Sequence, residues 1–418
     1  MLSKRFVSQT LFEDGWLESC EETVVGRPNG GSGDSCIVSR LVVVFNHRRF
    51  TFICKRVTGP SERHSSYDSL KVEIKRLSYK VEGEVLISLK PLKLDSIAEE
   101  LFWLDETDNT SVLLEDDLVL KGFPVHSVEL YQTQLFRAVD WLTQFHSAAH
   151  HQQLRTQHRT RVWQRGGYWS LDKRTDELSK MLLRWEASTQ LEELPANFAK
   201  RLEMSSRAMD SLLYPGFPRL PFSQEEERRM YGNKEETSLE ETLHRDAIRL
   251  TQASKVSTHM LAPLSWCLES TTTTCRFLRP TLLHGDFKGE NIFFTKDTSR
   301  CAVCDFQWTG FGLGVMDIVS LLFSSLPGHL NHDHFLGKIL DRYAGSACPK
   351  RDKQILRFLF DFAVVDYARY VVGTGLVFQE DLFLLQYANQ VLNRLDRGSV
   401  LQEGAMYEDE LHRQFQKL

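Results

Sequence analysis

In the stretch TLLHGDFKGENIFF, Asp286 and Asn291 stand five residues apart with Lys288 between them. An apolar strand pattern runs into His284-Gly285-Asp286, and another follows Asn291, so one polar turn presents an acid and an amide together. An aspartate held there can accept the hydrogen bond of an attacking hydroxyl, the task of a general base. Nineteen residues after Asp286, Asp305 ends the apolar run CAVC and opens Asp-Phe-Gln. A hard cation such as Mg2+ takes oxygen ligands, which the Asn291 amide and the Asp305 carboxylate supply. Acid, amide and second acid in this order are what phosphoryl transfer from ATP requires. Turn capping alone is the alternative role for Asp286 and Asp305, and the co-occurrence of H-G-D-x-x-x-x-N with D-F-Q weighs against it. Asp317, within the apolar run VMDIVSLLF, is a buried carboxylate and needs hydrogen bonds. It is expected to hold the backbone of the Asp286 loop, where His284 is read as a second structural residue.

A phosphate cradle and a cation should precede these groups. Gly30, Gly31, Ser32 and Gly33 lie in a glycine-rich turn whose backbone amides could approach phosphate, although the spacing fits neither G-x-G-x-x-G nor a Walker loop. In the strand pattern FTFICKRV, Ile53 and Lys55 share a face. Ile53 can then cover adenine while Lys55 reaches the phosphates; an exposed edge-strand lysine is the bland alternative. A glutamate on the following helix should pair with Lys55. Glu82 is the first choice, with Glu73 and Glu84 as competitors.

The elements needed to position these groups are visible as patterns. CIVSRLVVVF and FTFICKRV read as a hairpin, and apolar residues from Leu70 to Leu89 recur at helical spacing. SVLLEDD reads as a short strand, and Ser127 as the N-cap of a helix ending FHSAAH. Residues 222–242 are charge-dense and apolar-poor, and helices are expected near 356–373. The expectation is an α+β chain with a β-rich N-terminal lobe, 1–115, and a mainly helical C-terminal lobe, 116–418, carrying a helical insert at about 152–280.

Composition narrows the classes. A net charge of −5 gives no basic footprint, so nucleic acid is a poor partner. No apolar run approaches the ~20 residues of a membrane helix. The N-terminus lacks a signal-peptide core, and eight cysteines without small-scaffold spacing favour free thiols, so a cytoplasmic protein is expected. Cys301 and Cys304 form a C-x-x-C on a strand pattern, where positions three apart face opposite sides, and no second pair follows.

HGDFKGEN, CDFQWTGFGLGVMD, the hinge-like LLEDD and the FHSAAH helix resemble the aminoglycoside phosphotransferase/choline kinase superfamily, most closely its ecdysteroid-kinase-like (CHK kinase-like) group. The resemblance implies a bilobed protein-kinase-like fold with ATP and Mg2+ between the lobes. It implies Asp286 as catalytic base, Asn291 and Asp305 as magnesium ligands, and Lys55 as the phosphate-binding lysine. Leu113–Glu115 would be a hinge whose backbone meets adenine. Two departures matter. Choline kinases carry Asp-Phe-Glu-Tyr where this chain has Asp305-Phe306-Gln307-Trp308, which disfavours choline. Lys288 stands where protein kinases keep a lysine that contacts the transferred phosphate; it either stabilises charge in the transition state or is a solvated turn lysine.

A protein kinase needs an activation segment closing in A-P-E, and none separates Asp305 from Asp317. The long stretch before the loop instead offers room for a helical subdomain. Trp163, Tyr168 and Trp169 within it suit either a small amphipathic substrate or a small core. The acceptor is therefore expected to be a small hydroxylated molecule. A pseudokinase that binds nucleotide or a partner is the competing class, though neither the base nor a metal ligand is missing. His329, His332 and His334 are read as a polar loop rather than a zinc site.

Overall fold

Alternation along β3 (Arg48–Thr58) sorts the first part of the molecule into two faces. Phe52 and Cys54 join Leu41, Val43, Phe45, Val112 and Leu114 in one apolar cluster, and the intervening Ile53 and Lys55 face away from it. The computed structural model describes residues 17–26, 35–58, 74, 77–85, 102–104, 110–148, 162–187, 193–214, 279–327, 332–375, 377–401 and 404–418. The chain divides into two units, Met1–Ser127 with Glu290–Gln307, and Val128–Gly289 with Trp308–Leu418.

The first unit is built on an antiparallel sheet of β1 (Leu17–Gly26), β2 (Ser35–Phe45), β3, β4 (Phe102–Leu104) and β5 (Thr110–Asp116), in the order β1-β2-β3-β5-β4. Asn46 and His47 close the β2–β3 hairpin with positive φ at both positions, the two-residue turn whose twist matches the strands. β1 is acidic at Glu18, Glu21 and Glu22 and its valines, Val24 and Val25, are exposed; its partner β2 supplies the hydrophobicity. A helix over 77–85 (α1) packs Tyr79 onto Cys36 and Val57. The rest of the amphipathic pattern from Leu70 to Leu89 lies outside the described residues. β6 (Val125–His126), β9 (Ile292–Phe294) and β10 (Cys301–Val303) form a small second sheet in the order β10-β9-β6.

The second unit is mainly helical. A three-stranded sheet, β7 (Trp163–Arg165), β11 (Gly310–Leu313) and β8 (Pro280–Leu283), sits among α2 (Gln132–Ala148), α3 (Thr175–Ala187), α4 (Phe198–Leu213), α5 (Val315–Ser325), α6 (His332–Ala344), α7 (Lys350–Thr374), α8 (Leu382–Asp396) and α9 (Gly404–Phe415). α7 packs against α3, α4, α5, α6 and α8. Arg201 on α4, fully buried, is bidentate to Asp396 on α8 at 2.8 Å from both oxygens, so the buried charge has its counter-ion and its hydrogen bonds. The expected α+β composition, β-rich first and helical after, is the one adopted. One boundary differs: α2 starts at Gln132, not after Ser127. The Leu130 amide donates to the Ser325 carbonyl at 2.7 Å, which diverts the preceding residues, and Gln134 Oε1 accepts from the Tyr131 amide at 3.0 Å as a cap. Among the described residues no helix is long and apolar enough to cross a membrane.

Candidate active site

In the first unit Lys55 gathers three carboxylates. Its Nζ lies 2.8 Å from Glu82 Oε1, 3.3 Å from Asp305 Oδ1 and 3.9 Å from Glu115 Oε1. The strand period explains the company: Lys55 pairs with Leu113 and Ile53 with Glu115 across the β3–β5 ladder, so all four share the face opposite the apolar cluster. Glu82 is fully buried on α1, while Glu84 is half-buried and Glu73 lies outside the described residues. Burial works against the ammonium charge of Lys55, but Asp305, Glu82 and Glu115 outweigh it and hold its pKa well above the usual lysine value. Burial likewise raises Glu82 and Glu115, with Lys55 opposing in both cases. Leu113 and Leu114 lie between β3 and β4, so their backbone groups belong to the two ladders, and Glu115 turns its side chain toward Lys55.

Asn291 and Asp305 flank one end of the β9–β10 hairpin. Ile292 pairs with Val303, and the Cys304 amide donates to the Asn291 carbonyl at 3.0 Å. Asp305 has φ +69, a left-handed conformation that aspartate tolerates better than most residues. Burial pushes the neighbouring Cys304 thiol well up against the pull of Lys55, so it is a poor thiolate. Among the described residues no cluster of three His, Cys, Asp or Glu side chains forms a metal cage. One amide and one carboxylate nonetheless fit Mg2+, which keeps several waters and takes one or two protein oxygens beside the substrate's phosphates.

In the second unit the loop after β8 is clamped from beneath. Asp317, fully buried near the start of α5, accepts from the His284 amide at 2.8 Å through Oδ2 and from the Gly285 amide at 2.9 Å through Oδ1. His146 on α2 supplies a third contact, Nε2 to Asp317 Oδ2 at 3.0 Å, and its Nδ1 meets the Tyr343 hydroxyl at 2.7 Å. A carboxylate only accepts, so Nε2 carries the proton and Tyr343 donates. The Asp286 amide donates to His284 Nδ1 at 3.3 Å, which turns the buried His284 ring into a support for the loop. Lys288 Nζ lies 3.3 Å from Asp286 Oδ2, so this lysine is engaged with the acid rather than merely solvated. Phe287 is buried against Trp141, rings stacked at 5.5 Å.

A support that the sequence did not disclose is the segment 162–170. β7 joins β11 in parallel, and the Gly167 and Tyr168 amides donate to the Trp308 and Gly285 carbonyls at 3.0 and 3.1 Å. Gly285 has φ +86, and a Cβ there would collide with the Trp308 carbonyl oxygen; one at Gly310 would collide with that of Trp163. The signal present in the sequence was the glycine content of RGGYW and TGFGLG, a mark of close backbone approach. Lys173 fastens this segment: its Nζ donates to the Arg165 carbonyl and to Ser170 Oγ, both at 2.6 Å. Tyr168, held beside Gly285, meets the Tyr367 hydroxyl at 2.9 Å and packs edge-on to Tyr370 at 5.1 Å. Burial pushes all three phenols up, and Asp286 adds to each, which places the trio within electrostatic range of the acid.

Gly31, Ser32 and Gly33 lie outside the described residues, as do most of the 152–280 stretch and His329. Ile53 shares the Lys55 face.

The solved structures that resemble the chain include choline kinase LicA from Streptococcus pneumoniae (14% identity, TM-score 0.38, covering 93% of this chain and 96% of that one). They also include an ethanolamine kinase from Plasmodium vivax (11% identity, TM-score 0.40, covering 93% and 86%). A third is the amicoumacin kinase hAmiN, in complex with AMP-PNP, Ca2+ and Ami (12% identity, TM-score 0.36, covering 91% and 90%). No curated protein matches the chain. Residues 108–359, more than half of the sequence, match the model of the APH family, described as a phosphotransferase enzyme family, and the chain belongs to that family.

Proposed function

We propose that the protein is an ATP- and Mg2+-dependent kinase that phosphorylates the hydroxyl of a small molecule. The observation that carries the reading is Lys55 tied at once to Glu82 at 2.8 Å and Asp305 at 3.3 Å: one cation fixed by a helix glutamate and by a prospective metal ligand. Lys55 orients phosphate oxygens, with Ile53 on the same face for the base, and the backbone amides of Gly31, Ser32 and Gly33 are assigned to phosphate binding in this reading. Asn291 and Asp305 hold the magnesium, which neutralises phosphate charge when bound. Leu113–Glu115 line the nucleotide side, with Glu115 beyond the last β4–β5 pair, Phe102 with Leu114. Asp286 accepts the proton of the acceptor hydroxyl, and Lys288 stabilises developing negative charge. Tyr168, Tyr367 and Tyr370 offer ring faces to the acceptor beside that acid. A cytoplasmic setting would supply the ATP.

The test is ATP consumption with pooled small hydroxyl compounds, read by mass shift of the product, in the wild type and in Asp286→Asn. Acceptor-dependent turnover that Asp286→Asn abolishes is expected. Nucleotide binding without turnover on any pool, unchanged in the variant, would instead establish a pseudokinase.

A further inference from the structure

Within the first unit, α1 touches the Asp305–Gln307 segment at a second point. Ser78 Oγ donates to Gln307 Oε1 at 3.2 Å, and Ser78 is fully buried. Ser78 and Glu82 stand four residues apart, on one face of the helix. Glu82 reaches Asp305 through Lys55, whereas Ser78 reaches Gln307 directly. The intervening Phe306 is fully buried, and the preceding Cys304 amide is held by the Asn291 carbonyl at 3.0 Å. The segment is thus fastened before, at and after Asp305, the one residue in it with a left-handed backbone, φ +69. Aspartate tolerates that backbone without preferring it, so the contacts on either side fix where its carboxylate points.

From this closed ring we infer that Ser78 and Gln307 are positioning residues: their hydrogen bond sets the Asp305 carboxylate for the metal and couples that setting to the docking of α1. Neither residue touches nucleotide or metal in this role. Gln307 matters here for its side-chain oxygen, which a glutamate would also supply, and not for its amide nitrogen. The inference rests on the proposed role of Asp305 as a metal ligand.

The experiment titrates Mg2+ against a fixed concentration of a non-hydrolysable ATP analogue, read by thermal shift on the full chain, alongside hydrogen exchange of residues 77–85 without nucleotide. Ser78→Ala and Gln307→Leu are each expected to raise the half-saturating Mg2+ concentration about 3- to 10-fold, the range one net hydrogen bond covers. Metal-free analogue affinity should change less than about 2-fold, while exchange over 77–85 should speed up by about 3- to 10-fold. The double variant should be no worse than either single one, since both remove the same bond. Gln307→Glu should keep the wild-type Mg2+ requirement. Should Ser78→Ala not fold, Ser78→Cys, nearly equal in shape and a poor donor, takes its place. A wild-type Mg2+ requirement in both Ser78 and Gln307 variants, with Asp305→Ala having lost its metal response, would overturn the inference. An Asp305→Ala protein that responds to Mg2+ normally would overturn the metal reading beneath it.

Discussion

His146 and Asp317, 171 positions apart in sequence and both buried, meet at 3.0 Å, and the same carboxylate spans two consecutive amides of the Asp286 loop. The loop is therefore held by a carboxylate that is itself aimed by α2. Asp317→Asn leaves one acceptor oxygen for three donors and sets an NH2 against at least one of them. It should destabilise the fold by about 2–4 kcal/mol and lower turnover more than it weakens nucleotide binding. Urea midpoints with parallel analogue binding check this.

Gly285→Ala meets two obstacles at once, a positive φ and the Trp308 carbonyl in the space a Cβ needs. The backbone term alone is about 1–2 kcal/mol. The collision is with backbone, which cannot swing aside, so the loop itself must move. The expected result is a folded protein with turnover reduced at least about 100-fold, the cost of a misplaced reacting group, seen by comparing circular dichroism with product formation.

Glu82→Gln should cost little stability, because Lys55 keeps Asp305 and Glu115 and a buried charge is removed. Turnover should nevertheless fall by roughly 10- to 100-fold as Lys55 loses its anchor to α1. A variant with wild-type kcat/KM for ATP would remove Glu82 from the site.

Lys173 carries the pH dependence. Burial, only partly offset by Asp172, lowers its pKa from 10.5 to about 8. Between those values the unfolded chain binds the proton and the folded one does not, so stability rises with pH across that window. The contribution is up to about 3 kcal/mol. Lys173→Met should flatten the rise, which urea midpoints between pH 7.5 and 10 will show.

Tyr370→Ala removes a ring face near Asp286 and leaves Arg174, 5.4 Å over that ring, held by the Tyr168 carbonyl and Glu177. Once an acceptor is in hand, its KM should rise about 10-fold, a loss of the order of one aromatic contact, while the KM for ATP stays put. An equal rise in both would place the ring outside the acceptor site.

How far the sequence discloses this site follows from its physics. Lys55, Asp305 and Asp317 were legible because strand period and an isolated acid in an apolar run are local signals, and Glu82 stood out among three glutamates without being decided. Glu115 was legible only as a hinge position, because its approach to Lys55 depends on cross-strand register. His146 showed nothing beyond a histidine near a helix end; its partners come from α5 and α6. β1 was missed because Glu18, Glu21 and Glu22 break up its apolar residues and its apolar partner is another strand. Segment 162–170 was read for its aromatics, whereas its backbone is what the site uses.

That segment limits what can be exchanged between relatives. The residues between α2 and β8 resemble a cassette in the sequence, yet the first stretch described there, β7 through Ser170, is laddered to β11 and hydrogen-bonded to Gly285. A chimera cut at residue 152 would import a foreign strand into the frame of the Asp286 loop. Grafts into this stretch should begin beyond Lys173, leaving native the segment that is hydrogen-bonded to Gly285.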